Sequence, residues 1–237
     1  MNDKRPPAKS KIRQGLIAAW PICLGYIPVG LAFGVLAQKA GLNPLQIGLM
    51  SLLVFAGSAQ FIAISMISGG AGIIPIIATT FMVNLRHFLM TSALSVHLKN
   101  PSKKFLAAFA YGVTDESFAV NLLKFKYDGW DAERALVVNQ TSNFAWIAST
   151  VIGGFFGHLV PPGAFGIDYA LIAMFIFLLV FQLRGRQYII TAAISGGLAV
   201  PLFLILPNNL HVIAASVAAA TLGVIITKRT NGAKAGV

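Results

Sequence analysis

Between Ala40 and Leu85 the chain carries no Asp, Glu, Lys or Arg. A stretch of that length without formal charge excludes a water-facing surface there. Acids are scarce throughout: 7 Asp and Glu among 237 residues, with 11% of residues charged, against about 25% in an average soluble domain. Cys23 is the only cysteine, which excludes an internal disulfide and a thiolate metal cluster. His-Glu-x-x-His and Gly-x-Ser-x-Gly are both absent, so the common zinc-hydrolase and nucleophile-elbow signatures are missing. So is an ATP-binding Gly-rich motif ending in Lys-Ser/Thr. No enzymatic activity and no cofactor are expected.

What is present is apolar. Hydrophobic residues make up 57% of the chain and the mean hydropathy is +0.77. A membrane-spanning helix takes about 20 apolar residues, and eight apolar segments can be drawn: Gly15–Ala40, Pro44–Ser68, Ile73–His97, Phe105–Leu123, Ala132–Leu159, Phe165–Leu183, Tyr188–Leu206 and Leu210–Ile226. Turn residues separate them, as at Gly41-Leu42-Asn43-Pro44, Lys99-Asn100-Pro101-Ser102 and Pro207-Asn208-Asn209. The expected fold is an all-α integral membrane protein, a polytopic bundle of about eight segments, some broken at Gly or Pro. It forms a single transmembrane domain over 1–237, with a basic tail at 1–14 and a short polar tail at 228–237. The apolar run after the basic N-terminus outlasts the roughly 7–15 residues of a signal-peptide core, so it reads as a retained first helix.

The net charge of +11 would suggest nucleic acid in a soluble protein. Here the basic residues sit at segment ends and no basic-aromatic motif accompanies them, so they read as topology signals and lipid contacts rather than a nucleic-acid surface. With eight crossings and the N-terminus inside, the N-tail, Lys124, Lys126, Arg134, Arg184, Arg186, Lys228, Arg229 and Lys234 fall on one side; Lys39, Lys99, Lys103 and Lys104 fall on the other. If segment two were re-entrant, that asymmetry would vanish. The positive-inside rule therefore favours eight crossings with both ends cytoplasmic. Tyr127, Trp130, Tyr169 and Tyr188 suit interfacial belts; His158, Asp168 and His211 lie near segment ends and read as solvated.

Two segments contain breakers. Segment one carries Gly25-Tyr26-Ile27-Pro28-Val29-Gly30, where Pro28 removes a helical donor. Segment two carries Phe55-Ala56-Gly57-Ser58-Ala59-Gln60. Irregular backbone at membrane depth persists only where it is buried in protein or lines a cavity, and half-helix ends can then face substrate or ion. The competing reading is close helix packing, since Gly30/Gly34 and Gly153/Gly157 have small-xxx-small spacing.

The charges inside apolar segments are the candidates for chemistry. Arg86 lies fifteen residues before Pro101 and Asp115 fourteen after it. On an antiparallel pair both are about 21–23 Å from the turn, hence at one depth. One guanidinium cannot neutralise both Asp115 and Glu116, so one acid is expected to titrate at a raised pKa. The two acids are about 100° apart on a helix and should do different jobs: Asp115 as the Arg86 partner, Glu116 as the titrating group. The alternative is an accessory or channel-like subunit whose buried charges merely lock helices together. Thr80, Asn84, His87 and Thr91 form a polar stripe at helical spacing. Asn139, Ser142, Asn143 and Trp146 share a face of segment five that reads as structural, with Gln140 pointing elsewhere. Gln60, beside Gly57-Ser58, is a further ligand candidate. Neither a Ser58-centred hydrolase nor a metal on His87 with Asp115 or Glu116 has supporting spacing.

At these residues the chain resembles a known family. Gly25-Tyr26-Ile27-Pro28-Val29-Gly30 with Ala32-Phe33-Gly34, Phe55-Ala56-Gly57-Ser58-Ala59-Gln60-Phe61, Asn84-Leu85-Arg86-His87 and Gly112-Val113-Thr114-Asp115-Glu116-Ser117-Phe118-Ala119 together resemble the AzlC/YgaZ branched-chain amino acid permeases. The motifs cover residues 25–119; the remainder fits by length and hydropathy. The resemblance implies a bacterial inner-membrane exporter of valine, leucine and isoleucine, working with a small AzlD/YgaH-type membrane subunit. Asn84 stands where some relatives have Asp, which removes one acid from the cluster. A zwitterion site would then draw on Arg86, His87, Asn84, Asp115, Glu116, Gln60, Ser58, Gly57, Tyr26 and Pro28, with Phe33, Phe55 and Phe61 as an apolar wall.

Overall fold

A computed structural model of the chain describes residues 8–99, 101–161, 186–205 and 217–226, with 214–215 and scattered positions between 166 and 183. Every element of three or more residues among them is helical. In chain order these are α1 (Ala8–Lys39), α2 (Pro44–Val54), α3 (Gly57–Ser68), α4 (Ile73–Ser95), α5 (Lys103–Tyr111), α6 (Asp115–Tyr127), α7 (Ala132–Phe156), a 3-10 turn at Gly157–Leu159 and α8 (Arg186–Ile205); a further apolar helix covers Val217–Ile226. Three helices, Lys11–Lys39, Ile73–Ser95 and Arg186–Ile205, are long and apolar enough to cross a bilayer, and shorter apolar helices accompany them. The helical, polytopic architecture expected from composition is therefore present. Most of segment six and of the link before Val217, with the assignments for Asp168 and His211, lie outside the described residues.

The chain divides into two compact units. One is Ser65–Met82 with Leu171–Val237, and the other is Met1–Ile64 with Val83–Ala170. In the former, α8 and Val217–Ile226 meet where Gly223 lies against Thr191; a Cβ there would stand 2.7 Å from the threonine hydroxyl. Its outward side is apolar: Ile73, Ile74, Ile77, Phe81, Phe203 and Leu204 are all exposed, as lipid-facing positions should be.

In the latter unit α1 lies along α7. The crossing is made by glycine. A Cβ on Gly34 would collide with the Thr150 carbonyl, and one on Gly153 with the Leu31 carbonyl; Gly30 sits against Ser149. The two small-xxx-small spacings thus face each other and bring the backbones together, the arrangement that strengthens dispersion contacts where lipid removes the hydrophobic drive. This decides the reading of Gly25–Gly30. α1 is continuous from Ala8 to Lys39, with Pro21 and Pro28 both inside it, so of the two readings the break at Pro28 is absent and the packing one holds. Gly30 packs, Gly25 meets nothing, and Pro28 is exposed. A proline costs its turn one hydrogen bond, and the long flanking helix packed on α7 keeps the axis intact.

The break in segment two is real. α2 ends at Val54, Phe55 takes a left-handed backbone (φ 37°, ψ 53°), and α3 starts at Gly57. For a non-glycine residue that conformation costs about 1–2 kcal/mol. Phe55 is buried against Tyr111, ring centroids 5.9 Å apart. Segment four is also broken, which spacing did not suggest: α5 ends at Tyr111 and α6 starts at Asp115. Each half-helix has 9–13 residues, so each is shorter than the roughly 30 Å hydrocarbon core at 1.5 Å per residue.

Candidate functional site: a charged cluster between two broken helices

Each break exposes a fresh helix N-terminus, whose first N–H groups lack intrahelical partners and carry partial positive charge. The local sequence supplies what each needs. At α6, Thr114 caps by accepting from the Ser117 amide at 3.3 Å, while Ser117 Oγ accepts from the Thr114 amide at 2.9 Å, a reciprocal capping box. Asp115 and Glu116 occupy the first turn of α6, the position where the helix dipole favours acids. At α3 the first turn holds Gly57 and Ser58. Gly57 packs under the Trp146 indole, where a Cβ would lie 3.1 Å from the ring.

Arg86, from the middle of α4, joins the two starts. Its Nη1 is 2.9 Å from Asp115 Oδ2, and its Nη2 donates to Ser58 Oγ. Both charged side chains are about three-quarters buried, at 27% and 22% exposure. The Arg86–Asp115 pairing expected from depth is present. Glu116 turns the other way, to α1: Tyr26 donates its hydroxyl to Glu116 Oε2 at 2.6 Å, and the Tyr26 hydroxyl oxygen also lies 2.7 Å from Thr114 Oγ1. The Tyr26 ring stands edge-on to Trp146 at 5.4 Å. Adjacent acids thus serve different helices.

Three polar atoms of this region are buried without a hydrogen-bond partner: Asn84 Oδ1, Arg86 Nε and His87 Nε2. His87 Nδ1 is 2.9 Å from the Val113 carbonyl. A carbonyl only accepts, so Nδ1 carries the proton, and in the neutral ring Nε2 is left as a bare acceptor. Asn84 and His87 are one turn apart on one helix face. The region therefore holds an unsatisfied guanidinium donor and two unsatisfied acceptors.

Other expected residues serve the breaks. Leu52 has lost the amide four residues on, and the Tyr111 hydroxyl donates to its carbonyl; Asn143 Nδ2 donates to Tyr111 at 3.1 Å. At the end of α5 the Gly112 and Val113 amides slip to Phe109 and Ala110. The Phe109 carbonyl also accepts from Asn139 Nδ2 at 3.1 Å, and the Ala108 carbonyl accepts from Gln140 Nε2 at 2.9 Å. Gln140 thus works beside Asn139 on the same target, contrary to the expectation that it points elsewhere. A long amide reaches round the helix, so a strict face assignment fails. Gln60 is fully buried and spans the first break: its Nε2 donates to Ser51 at 3.0 Å and its Oε1 accepts from Trp146 Nε1 at 2.9 Å. Phe33 and Phe61 pack edge to face at 5.2 Å, with Trp146 stacked on Phe33. Pro28 is exposed two positions from Tyr26, about 200° round the helix, and is not brought to the cluster. Tyr111, Thr114 and Ser51 were missed. A tyrosine directly before Gly112 was the available sign that segment four stops there.

These features define a class: a multi-helix membrane protein whose polar centre is built where interrupted helices begin. The chain belongs to the AzlC family. Its residues 21–160 match the family described as AzlC protein. It is 31% identical over 201 residues to the inner membrane protein YgaZ of Escherichia coli, covering 81% of this chain and 82% of that one. It is 28% identical over 231 residues to the branched-chain amino acid transport protein AzlC of Bacillus subtilis, covering 96% and 89%. An uncharacterized membrane protein of Archaeoglobus fulgidus is 33% identical over 211 residues, covering 87% and 91%. No solved structure matches the chain.

Proposed function

We propose that this protein is a single transmembrane transporter domain that exports branched-chain, neutral aliphatic amino acids across the cell membrane, coupled to protons and working with a small AzlD/YgaH-type membrane subunit. The observation that carries this reading is the Arg86 cluster: a guanidinium shared between Asp115 and the first turn of α3, with unpaired donor and acceptors beside it. The Bacillus relative's name as a branched-chain amino acid transport protein supports the substrate class.

In this reading Arg86 and the α3 start at Gly57-Ser58 receive the substrate carboxylate, displacing Asp115 from the guanidinium. The freed Asp115, with Asn84 Oδ1 and His87 Nε2, receives the ammonium. Phe33, Phe55 and Phe61 lie on the elements around the cluster and favour an aliphatic side chain over a polar one. Glu116, held by Tyr26 on the far side of the capping residue, carries the coupling proton. Without an ATP-binding motif, the uphill step is driven by a gradient.

Reconstituted protein, with and without the small subunit, should show saturable counterflow of L-valine or L-leucine and little of the D-isomers. Absence of counterflow in both preparations, with the protein folded, would sink this reading and leave an accessory role in which the cluster only joins helices.

A further inference from the structure

A second polar site lies away from the Arg86 cluster, at the end of the unit formed by the start of α1, the end of α6 and the start of α7. A groove of about 300 Å³ opens there, lined by Gln14, Ile17, Ala18, Lys124, Asp128, Trp130 and Arg134. Trp130 is its floor. Lys124 Nζ lies over the indole at 4.8 Å from the ring centre, and Arg134 Cζ at 5.4 Å. The indole Nε1–H and the guanidinium Nε–H are both buried and have no hydrogen-bond partner. Each can only donate. Arg134 as a residue is 9% exposed; its Nη1 donates to the Gly129 carbonyl at 3.5 Å and its Nε is 4.0 Å from Asp131 Oδ1.

Two buried donors without acceptors, next to two cations on one aromatic ring, call for an oxyanion. Three carboxylates stand nearby. Asp131 and Glu133 hold Lys11 at 3.1 and 2.7 Å. Asp128 holds Lys124 at 2.9 Å, but its side chain is 54% exposed, so that pair is weak and water-screened. Arg134 and Trp130 keep their unused donors regardless.

The groove continues onto an apolar track. Ile17, Trp20 and Leu24 follow at helical spacing along α1, each more than half exposed, running from the charged end toward the membrane interior. Inorganic phosphate has no use for that track; a diacyl lipid does. Basic pockets between membrane helices near the charged surface bind anionic headgroups.

We propose that this groove binds the phosphate of an anionic phospholipid, the headgroup oxygens meeting Trp130 Nε1, Arg134 Nε and Lys124, and one acyl chain lying along Ile17, Trp20 and Leu24. The test is the melting temperature of the full-length, delipidated protein in phosphatidylglycerol, in phosphatidylcholine, and in phosphatidylcholine with millimolar inorganic phosphate. Phosphatidylglycerol should raise the midpoint above phosphatidylcholine, as a ligand specific to the folded state does. Lys124→Gln and Trp130→Phe should cut that difference by about half or more with the phosphatidylcholine midpoint unchanged. Asp128→Asn, which removes the competing carboxylate, should enlarge it. Equal midpoints in the two lipids, a difference that survives both Lys124→Gln and Trp130→Phe, or an equal rise with inorganic phosphate would each overturn the proposal. Should Lys124→Gln and Trp130→Phe fail to fold, the Asp128→Asn result decides. Loss of valine counterflow bears on none of these outcomes.

Discussion

The two charged regions of the same unit are built on opposite terms. At the Lys11–Asp131–Glu133 end, acids and bases meet at helix termini: Asp131 caps α7 through the Arg134 amide at 3.0 Å, and Lys11 bridges to it. Burial alone would raise the Asp131 carboxyl, but the Arg134 amide, Lys11 and the Arg134 charge outweigh it and hold its pKa below the usual carboxylate range. The two acids are open to water there, with Asp131 and Glu133 side chains 35% and 66% exposed. In the Arg86 cluster, by contrast, the cation comes from mid-helix and its partners come from helix starts at membrane depth. Removing a member there leaves a mostly buried charge unpaired. Formal charge counts are similar in the two places; dielectric surroundings separate them.

Substitutions sharpen that contrast. Arg86→Ala should be the most damaging: breaking a buried pair costs about 3–5 kcal/mol, and valine counterflow should fall by about 100-fold or more, measured at matched protein levels. Arg86→Lys should recover little, because one ammonium cannot bridge Asp115 and Ser58 with the planar fork of a guanidinium. Normal flux in Arg86→Ala vesicles would erase the distinction between the two regions. Next in size, Gly34→Leu forces a side chain onto the Thr150 carbonyl; overpacking of that kind costs about 1–3 kcal/mol or more. Size-exclusion profiles should show little monodisperse protein, whereas Gly25→Leu, in open space, should behave as wild type.

Glu116→Gln separates coupling from binding. Counterflow at fixed pH should persist within about threefold, while the acceleration of flux by a pH gradient should fall about tenfold; an unchanged gradient response would remove Glu116 from the coupling role. The smallest effect belongs to the other region. Because the folded pKa of Asp131 is depressed, its contribution is present above the unfolded value of about 3.9 and is lost as pH falls through the folded value. Asp131→Asn should lower stability by under about 1 kcal/mol near pH 7. Wild type and variant should converge as pH falls past the depressed folded value, read from melting curves at each pH.

Much of this cluster was legible along the chain. Arg86, Asp115 and Glu116 stand out because charge is expensive in lipid, and counting residues from Pro101 set them at one level. The interruption at Phe55-Ala56-Gly57 was visible for the same reason that Gly25–Gly30 allowed two readings. Glycine and small residues mark both a broken helix and a tight crossing, and only the neighbouring helix says which. Gly34 meets α7 backbone and Gly30 the Ser149 side chain, so they pack. Phe55 has Tyr111 beside it, and the orphaned Leu52 carbonyl is answered from α5, so that helix breaks. The interruption before Asp115 was hidden because Thr114 and Ser117 read equally well inside a polar helix face. Gln140 was misplaced because face arithmetic tracks Cβ directions, not the reach of a long amide.

Composition and spacing by themselves determined that this is a helical membrane protein with its rare charges at one depth, since the hydrocarbon solvent constrains every residue it touches in the same way. Only the tertiary structure decided that Asp115 pairs with Arg86 while Glu116 goes to Tyr26, and that Gln60, Asn139 and Gln140 are spent on closing helix ends. Those choices depend on which orphaned backbone groups neighbouring helices bring within hydrogen-bonding distance, and no linear spacing encodes that.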